Sequence, residues 1–184
     1  MEQGQSEINK DKVNIKKEIL SWVFVIIGGF LLALFITKVV IIKAVVPTGS
    51  MENTILVGDK MVGNRLAYLF SEPKRGDIII FQYPGNIKED YVKRVIGIPG
   101  DTVTLKEGHV FVNDVMLEEE YIKEPMRVDP EASYVVPEDS YFVLGDNRNI
   151  SKDSRSWVTT NYVHKDLIRG KVWFRYSPSW GVIK

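Results

Sequence analysis

From Ile19 to Thr37 the chain reads ILSWVFVIIGGFLLALFIT, a run without a single charge. At ~1.5 Å per residue it makes a helix roughly 28 Å long, close to the ~30 Å hydrocarbon core of a bilayer. Such a run spans a membrane, is buried whole in a soluble core, or is cut away as a signal peptide. A signal peptide has an apolar region of only ~7–15 residues, and no small-x-small cleavage site follows here before Lys38. The run is therefore read as a retained transmembrane helix over 19–37, with Trp22 as an interfacial anchor.

Lys10, Lys12, Lys16 and Lys17 precede the span, and only Lys38 and Lys43 follow it closely. Basic residues stay on the cytoplasmic side. The expected order is a cytoplasmic arm at 1–18, the span, and an extracytoplasmic domain at 38–184 in the cell membrane. A domain of that size buries about two thirds of its unfolded surface.

Hydrophobic residues make up 45% of the chain and aromatics 11%, which excludes a disordered protein. Basic and acidic residues number 24 each, so no net charge draws the chain to nucleic acid. The absence of cysteine removes disulfides, thiol catalysis and cysteine-bound zinc together. With only two isolated histidines, His109 and His164, no metal site is expected, and no cofactor.

Beyond the span the pattern is mostly β. Short apolar or alternating runs recur at Ile41–Val46, Lys60–Leu66, Asp77–Gln82, Asp90–Gly97, Thr102–Leu105, His109–Val112, Tyr141–Leu144 and Leu167–Tyr176, separated by Gly, Pro, Asn and Asp. Lys106-Glu107-Gly108 and Asn113-Asp114 read as hairpin turns, and Pro99-Gly100 suits a type II turn. Acids and prolines dominate between Glu118 and Asp139, where a long excursion or small cap is expected.

Three stretches carry chemistry. Val46-Pro47-Thr48-Gly49-Ser50-Met51 presents a hydroxyl soon after the span. A serine is a weak nucleophile until a base takes its proton and donors await the oxyanion. Neither histidine is flanked by a group that would orient its ring. In Asp90-Tyr91-Val92-Lys93-Arg94-Val95-Ile96-Gly97, strand alternation puts Lys93 and Arg94 on opposite faces, so one cation turns toward the core. At pH 7 an ordinary lysine, pKa ~10.4, is neutral in about one molecule in 2,500. Burial lowers that pKa by up to ~3–5 units, into the range of a useful base. The third stretch, Gly145 to Arg155 (GDNRNISKDSR), is dense in short polar groups and suits a loop built on hydrogen bonds and an Asp–Arg pair.

In this order the boxes PTGSM, KRGD, YVKRVIGIPGD and GDNR…S.DSR, behind a lysine-bearing arm and one span, resemble the bacterial type I signal peptidases, membrane-anchored Ser/Lys proteases. The resemblance covers nearly the whole chain. It implies an antiparallel β-sheet catalytic domain in which Ser50 is the nucleophile and Lys93 the general base. Thr48 and the Ser50 N–H would form the oxyanion hole, and Ser151 would bond and orient the lysine. Asp153 and Arg155 match the family's structural ion pair, with Asp146 and Arg148 in supporting places of the same box. Val46, Met51, Ile55, Tyr91 and Val92 would wall the substrate pockets. Asn149 and Ile150 depart from the family's commoner Asp-Asn.

What the resemblance implies is removal of signal peptides from translocated preproteins after a small-x-small motif, at the bilayer surface and without a cofactor. Shallow apolar pockets select small residues by excluding added methylenes. Tyr68, Leu69, Phe70 and Trp180 are candidates for dipping into the interface. Two rivals remain: a Ser/Lys self-cleaving repressor, disfavoured by the span and by the lack of a helix-turn-helix, and a non-catalytic membrane-tethered β module that binds partner proteins.

Overall fold

A computed structural model describes residues 15–127 and 131–183 and divides the chain into two units, 1–39 and 40–184. In the first, helix α1 spans Ile15–Phe35 and widens into a π-helical turn at Ile36–Val40. None of its residues is buried, and from Ile15 to Val40 it is long and apolar enough to cross a membrane. It begins four residues before the expected span. Of the expected arm, residues 1–14 lie outside the described residues and Ile15–Glu18 is helical.

The second unit is built of strands. Its larger sheet contains β1 (Ile41–Val45), β2 (Lys60–Asn64), β3 (Ile78–Tyr83), β4 (Asn86–Gly97), β9 (Ser140–Leu144), β10 (Val163–His164), β11 (Ile168–Ser177) and β12 (Gly181–Val182). The order is β1-β2-β11-β3-β4-β9-β10, with β12 on β11. The smaller sheet runs β7 (Val115–Met116), β6 (His109–Val112), β5 (Thr102–Lys106), β8 (Ala132–Val135). All pairings are antiparallel.

Turn chemistry sets the hairpins. Glu107 and Gly108 adopt φ 52° and 78°, and Asn113 and Asp114 adopt 50° and 66°, the left-handed pairs that two-residue hairpins require. Gly100 takes φ 85° as the Asp101 N–H closes the turn onto the Ile98 carbonyl.

The expected excursion at 118–139 is only partly one. Residues 132–135 form β8, which pairs with β5 from Thr102↔Val135 to Leu105↔Ala132. An acid- and proline-rich composition hid a four-residue strand whose partner is fixed by tertiary approach rather than by local alternation.

The central strand β4 lies between β3 and β9 and is buried without a break from Lys93 to Gly97. One core cluster, with Ile42, Met51, Ile55, Met61 and Ile80, packs under the turn that carries Ser50. A second gathers Ile79, Phe81, Val95, Val143 and Trp157. Strand residues from both clusters therefore hold Lys93 on a rigid element.

Candidate active site

Ser50 sits in a short 3₁₀ turn, Gly49–Met51, which follows β1 after Val46, Pro47 and Thr48. Met51, 1% exposed, and Ile55, fully buried, anchor that turn in the core. The first N–H groups of such a turn have no acceptor within it, which leaves them free for an oxyanion. Thr48 is exposed, with its Oγ1 3.5 Å from Ser50 Oγ.

Lys93 extends from β4, where it pairs across the ladder with Ile79. It is 4% exposed. Its Nζ lies 2.7 Å from Ser50 Oγ and 3.0 Å from the Val92 carbonyl oxygen. Burial pushes the ammonium pKa down to about 8, against the carboxylates of Asp153 and Asp146, which hold it up.

The loop 145–155 wraps behind this pair. Asn147 donates its N–H to the Ser50 carbonyl at 3.1 Å and its Nδ2 to the Gly49 carbonyl at 3.1 Å. Gly145 N donates to Asp153 Oδ2, and Asp153 is bridged to Arg155 at 2.8 Å. Ser151 does not make the bond expected of it: its Oγ is buried without a hydrogen-bond partner, while the amine is held by Ser50 and Val92. The Ser151 side chain stands beside Gly145. A Cβ on Gly145 would fall 2.2 Å from Ser151 Oγ and 2.4 Å from the Ser50 carbonyl oxygen. Gly145→Ala must therefore displace the nucleophile turn, and misplacement by ~1 Å is worth about 10²-fold in rate. A fall of that order in kcat at little-changed KM is expected in steady-state cleavage assays.

Several supporting contacts carried no signal in the sequence. Arg94, which alternation places opposite Lys93, is itself only 3% exposed. It makes a bidentate pair with Asp146 (Nε–Oδ1 2.9 Å, Nη2–Oδ2 2.7 Å), and Thr54 Oγ1 donates to the same carboxylate. The Tyr121 ring lies 3.9 Å from the Arg94 guanidinium carbon. Glu119 takes both terminal nitrogens of Arg148 and accepts from the Tyr121 hydroxyl. Burial, with Glu119 beside it, pushes the Tyr121 phenol pKa up. Lys123 bridges to Glu52, two residues beyond Ser50, and Asn53 Nδ2 donates to the Tyr121 carbonyl. Residues 119–123 thus fasten the serine turn, β4 and the loop 145–155 to one another. Asn147 lay within a box already singled out, whereas the contacts of Glu119 and Tyr121 arise only in the fold.

A cleft of about 630 Å³ opens over Ser50 and Lys93. Val46, Met51, Ile55, Tyr91 and Val92 all line it. Tyr91 stacks on Tyr83 at 4.7 Å, which stiffens that wall. The histidines lie elsewhere: His109 opens β6, and His164 caps a turn through Asp166. Among the described residues no cluster could hold a metal ion.

A strand-flanked apolar cleft with a hydroxyl and a desolvated amine in contact at its floor is the equipment of a serine peptidase. Over residues 19–180 the chain matches the family described as signal peptidase, peptidase S26. It is 40% identical over 156 residues to signal peptidase I of Leptolyngbya laminosa, covering 80% of this chain and 74% of that one. The probable signal peptidase I-2 of Synechocystis sp. is 35% identical over 160 residues, 83% and 70% of the two chains. Signal peptidase IB of Staphylococcus aureus strain COL is 32% identical over 182 residues, 89% and 92% of the two chains. The chain belongs to the signal peptidases of the S26 peptidase family, mostly antiparallel β with one N-terminal apolar helix.

Proposed function

We propose that this chain removes signal peptides from translocated preproteins with Ser50 as nucleophile and Lys93 as its base. The observation that carries the reading is the 2.7 Å approach of an amine only 4% exposed to the serine hydroxyl. Neutral Lys93 takes the Ser50 proton as Oγ attacks the carbonyl carbon of the scissile bond. The oxyanion accepts hydrogen bonds from the Ser50 N–H and Thr48 Oγ1. As the tetrahedral centre collapses, the Lys93 ammonium returns the proton to the departing amine. The acyl group left on Ser50 is released by water, whose proton passes to the same amine and then back to Ser50 Oγ.

Val46, Met51, Ile55, Tyr91 and Val92 bound the pockets that admit small side chains, and an extended substrate pairs with the adjacent strands by β-addition. Gly145, Asp146, Arg148, Asp153 and Arg155 support the dyad, and Ser151 fills the space beside it. The helix anchors residues 38–184 at the outer face of the bilayer with the amino terminus cytoplasmic. Enzyme and substrate are thereby confined to one surface.

The test is incubation of the full-length chain in detergent with a preprotein bearing a small-x-small site, followed by N-terminal sequencing of the product. A single cut after that motif is expected; no cut, or cutting at unrelated sites, overturns the reading in favour of a non-catalytic module. The topology is checked with protease applied outside intact spheroplasts, which should digest the β domain; its full protection would reverse the orientation.

A further inference from the structure

Two exposed side chains on the loop that carries Ser151 line the cleft yet have no part in the chemistry above. Ile150 is 64% exposed, an apolar residue at the rim of a catalytic cleft. Lys152 is also exposed and lines the cleft, and it makes no ion pair among the described residues.

Their flank of the cleft is fixed by the proton's route. The lysine amine must reach the departing nitrogen, so the substrate beyond the cut runs along the side of Ser50 on which Lys93 and its backing loop stand. That backing is the loop 145–155, tied to Ser50 through the Asn147 N–H and pressed on it at Gly145. Val46, which follows β1, and Val92 on β4 line the cleft with apolar side chains, which suits the apolar segment before the cut. Glu89 and Asp90 also line it, but they precede Lys93 on β4 by four and three residues, roughly 10 Å or more along an extended strand. At that separation salt largely screens them from the leaving side.

We propose that Ile150 and Lys152 form the subsite for the first residues of the mature chain, Ile150 as an apolar wall and Lys152 as a charge that favours acidic over basic side chains. The subsite rests on the Ser50/Lys93 reading and adds to it a preference on the far side of the cut. An exposed ion pair shifts such a preference by about two- to fivefold, and an apolar wall by about fourfold per methylene covered.

The experiment compares preproteins that are identical through the cut and carry Asp or Lys at the second mature position, cleaved by the full-length chain in detergent at about 0.15 M salt, where the Debye length is ~8 Å. Wild type should favour Asp in kcat/KM by about two- to fivefold. Lys152→Met should bring the ratio near one, and Lys152→Glu should invert it. Ile150→Asn should lower kcat/KM for a valine first residue relative to serine by about fourfold. A ratio that stays the same in wild type and all three variants, with cleavage intact, overturns the subsite and leaves the dyad standing. Cleavage of neither substrate by wild type overturns both.

Discussion

Lys93→Met lowers kcat/KM for cleavage by ~10²–10⁴-fold and at the same time raises the melting temperature of the protein at neutral pH. Both effects follow from the same burial. A positioned base contributes ~10²–10⁴-fold, and methionine has the length of lysine without a proton acceptor. With its pKa lowered from 10.5 to about 8, roughly one amine in ten is neutral at pH 7, against about one in several thousand for an ordinary lysine. The rate should therefore fall about tenfold per pH unit below a midpoint near 8. A midpoint near 6.5 that disappears with His109→Ala would transfer the role to an imidazole.

The stability effect has a definite sign. The folded pKa lies below the unfolded one, so between about 8 and 10.5 the unfolded chain holds the extra proton. Stability contributed by this group rises with pH across that window, and below it the full penalty is present. One pKa unit is worth about 1.4 kcal/mol, which makes that penalty roughly 3 kcal/mol at pH 7. Calorimetry at pH 7 should find Lys93→Met up to that much more stable, whereas equal or lower stability would mean that the amine is hydrated.

The boxes bearing Ser50, Lys93 and Gly145–Arg155 were legible through their ordered resemblance to the type I signal peptidases, whereas each stretch alone left a solvated lysine or a well-bonded turn open. The hairpins at Glu107-Gly108 and Asn113-Asp114 were legible because only a few residues tolerate positive φ. What alternation could not supply was the environment of β4. The rule that adjacent side chains point to opposite faces led to one buried cation, and it holds for a sheet with one face in water. The strand β4 is covered on both faces, so Lys93 and Arg94 are buried together. Arg94 is accommodated by Asp146, 52 residues away in sequence. The same holds for Glu119 and Tyr121, whose acidic neighbourhood read as an excursion or small cap and whose partners Arg148 and Arg94 are brought against it only by the fold. The two-residue strands β7, β10 and β12 are too short to show any period.

Asp146→Ala destabilises the β domain by about 3–5 kcal/mol, the usual cost of leaving one partner of a buried ion pair uncompensated. The side chains of Arg94 and Asp146 are 4% and 0% exposed, so water cannot replace the lost carboxylate. At ~2–4 °C per kcal/mol for a domain of this size, the melting temperature should drop by roughly 10 °C or more. The Gly76 carbonyl, 3.0 Å from Arg94 Nη1, and the Tyr121 ring soften the loss without balancing the charge. Arg94→Met alone should cost comparably, since it strands the carboxylate. The double variant Arg94→Met/Asp146→Leu removes both charges and should recover most of the stability. It should not recover activity to the same extent. Asp146 also receives Thr54, four residues beyond Ser50, and precedes Asn147, whose N–H holds the Ser50 carbonyl. A double variant that melts like wild type yet cleaves slowly would separate the two roles of the pair: its charges offset each other within the fold, and its hydrogen bonds hold the serine turn where Lys93 can reach it. Full activity in that variant would show that packing alone places Ser50.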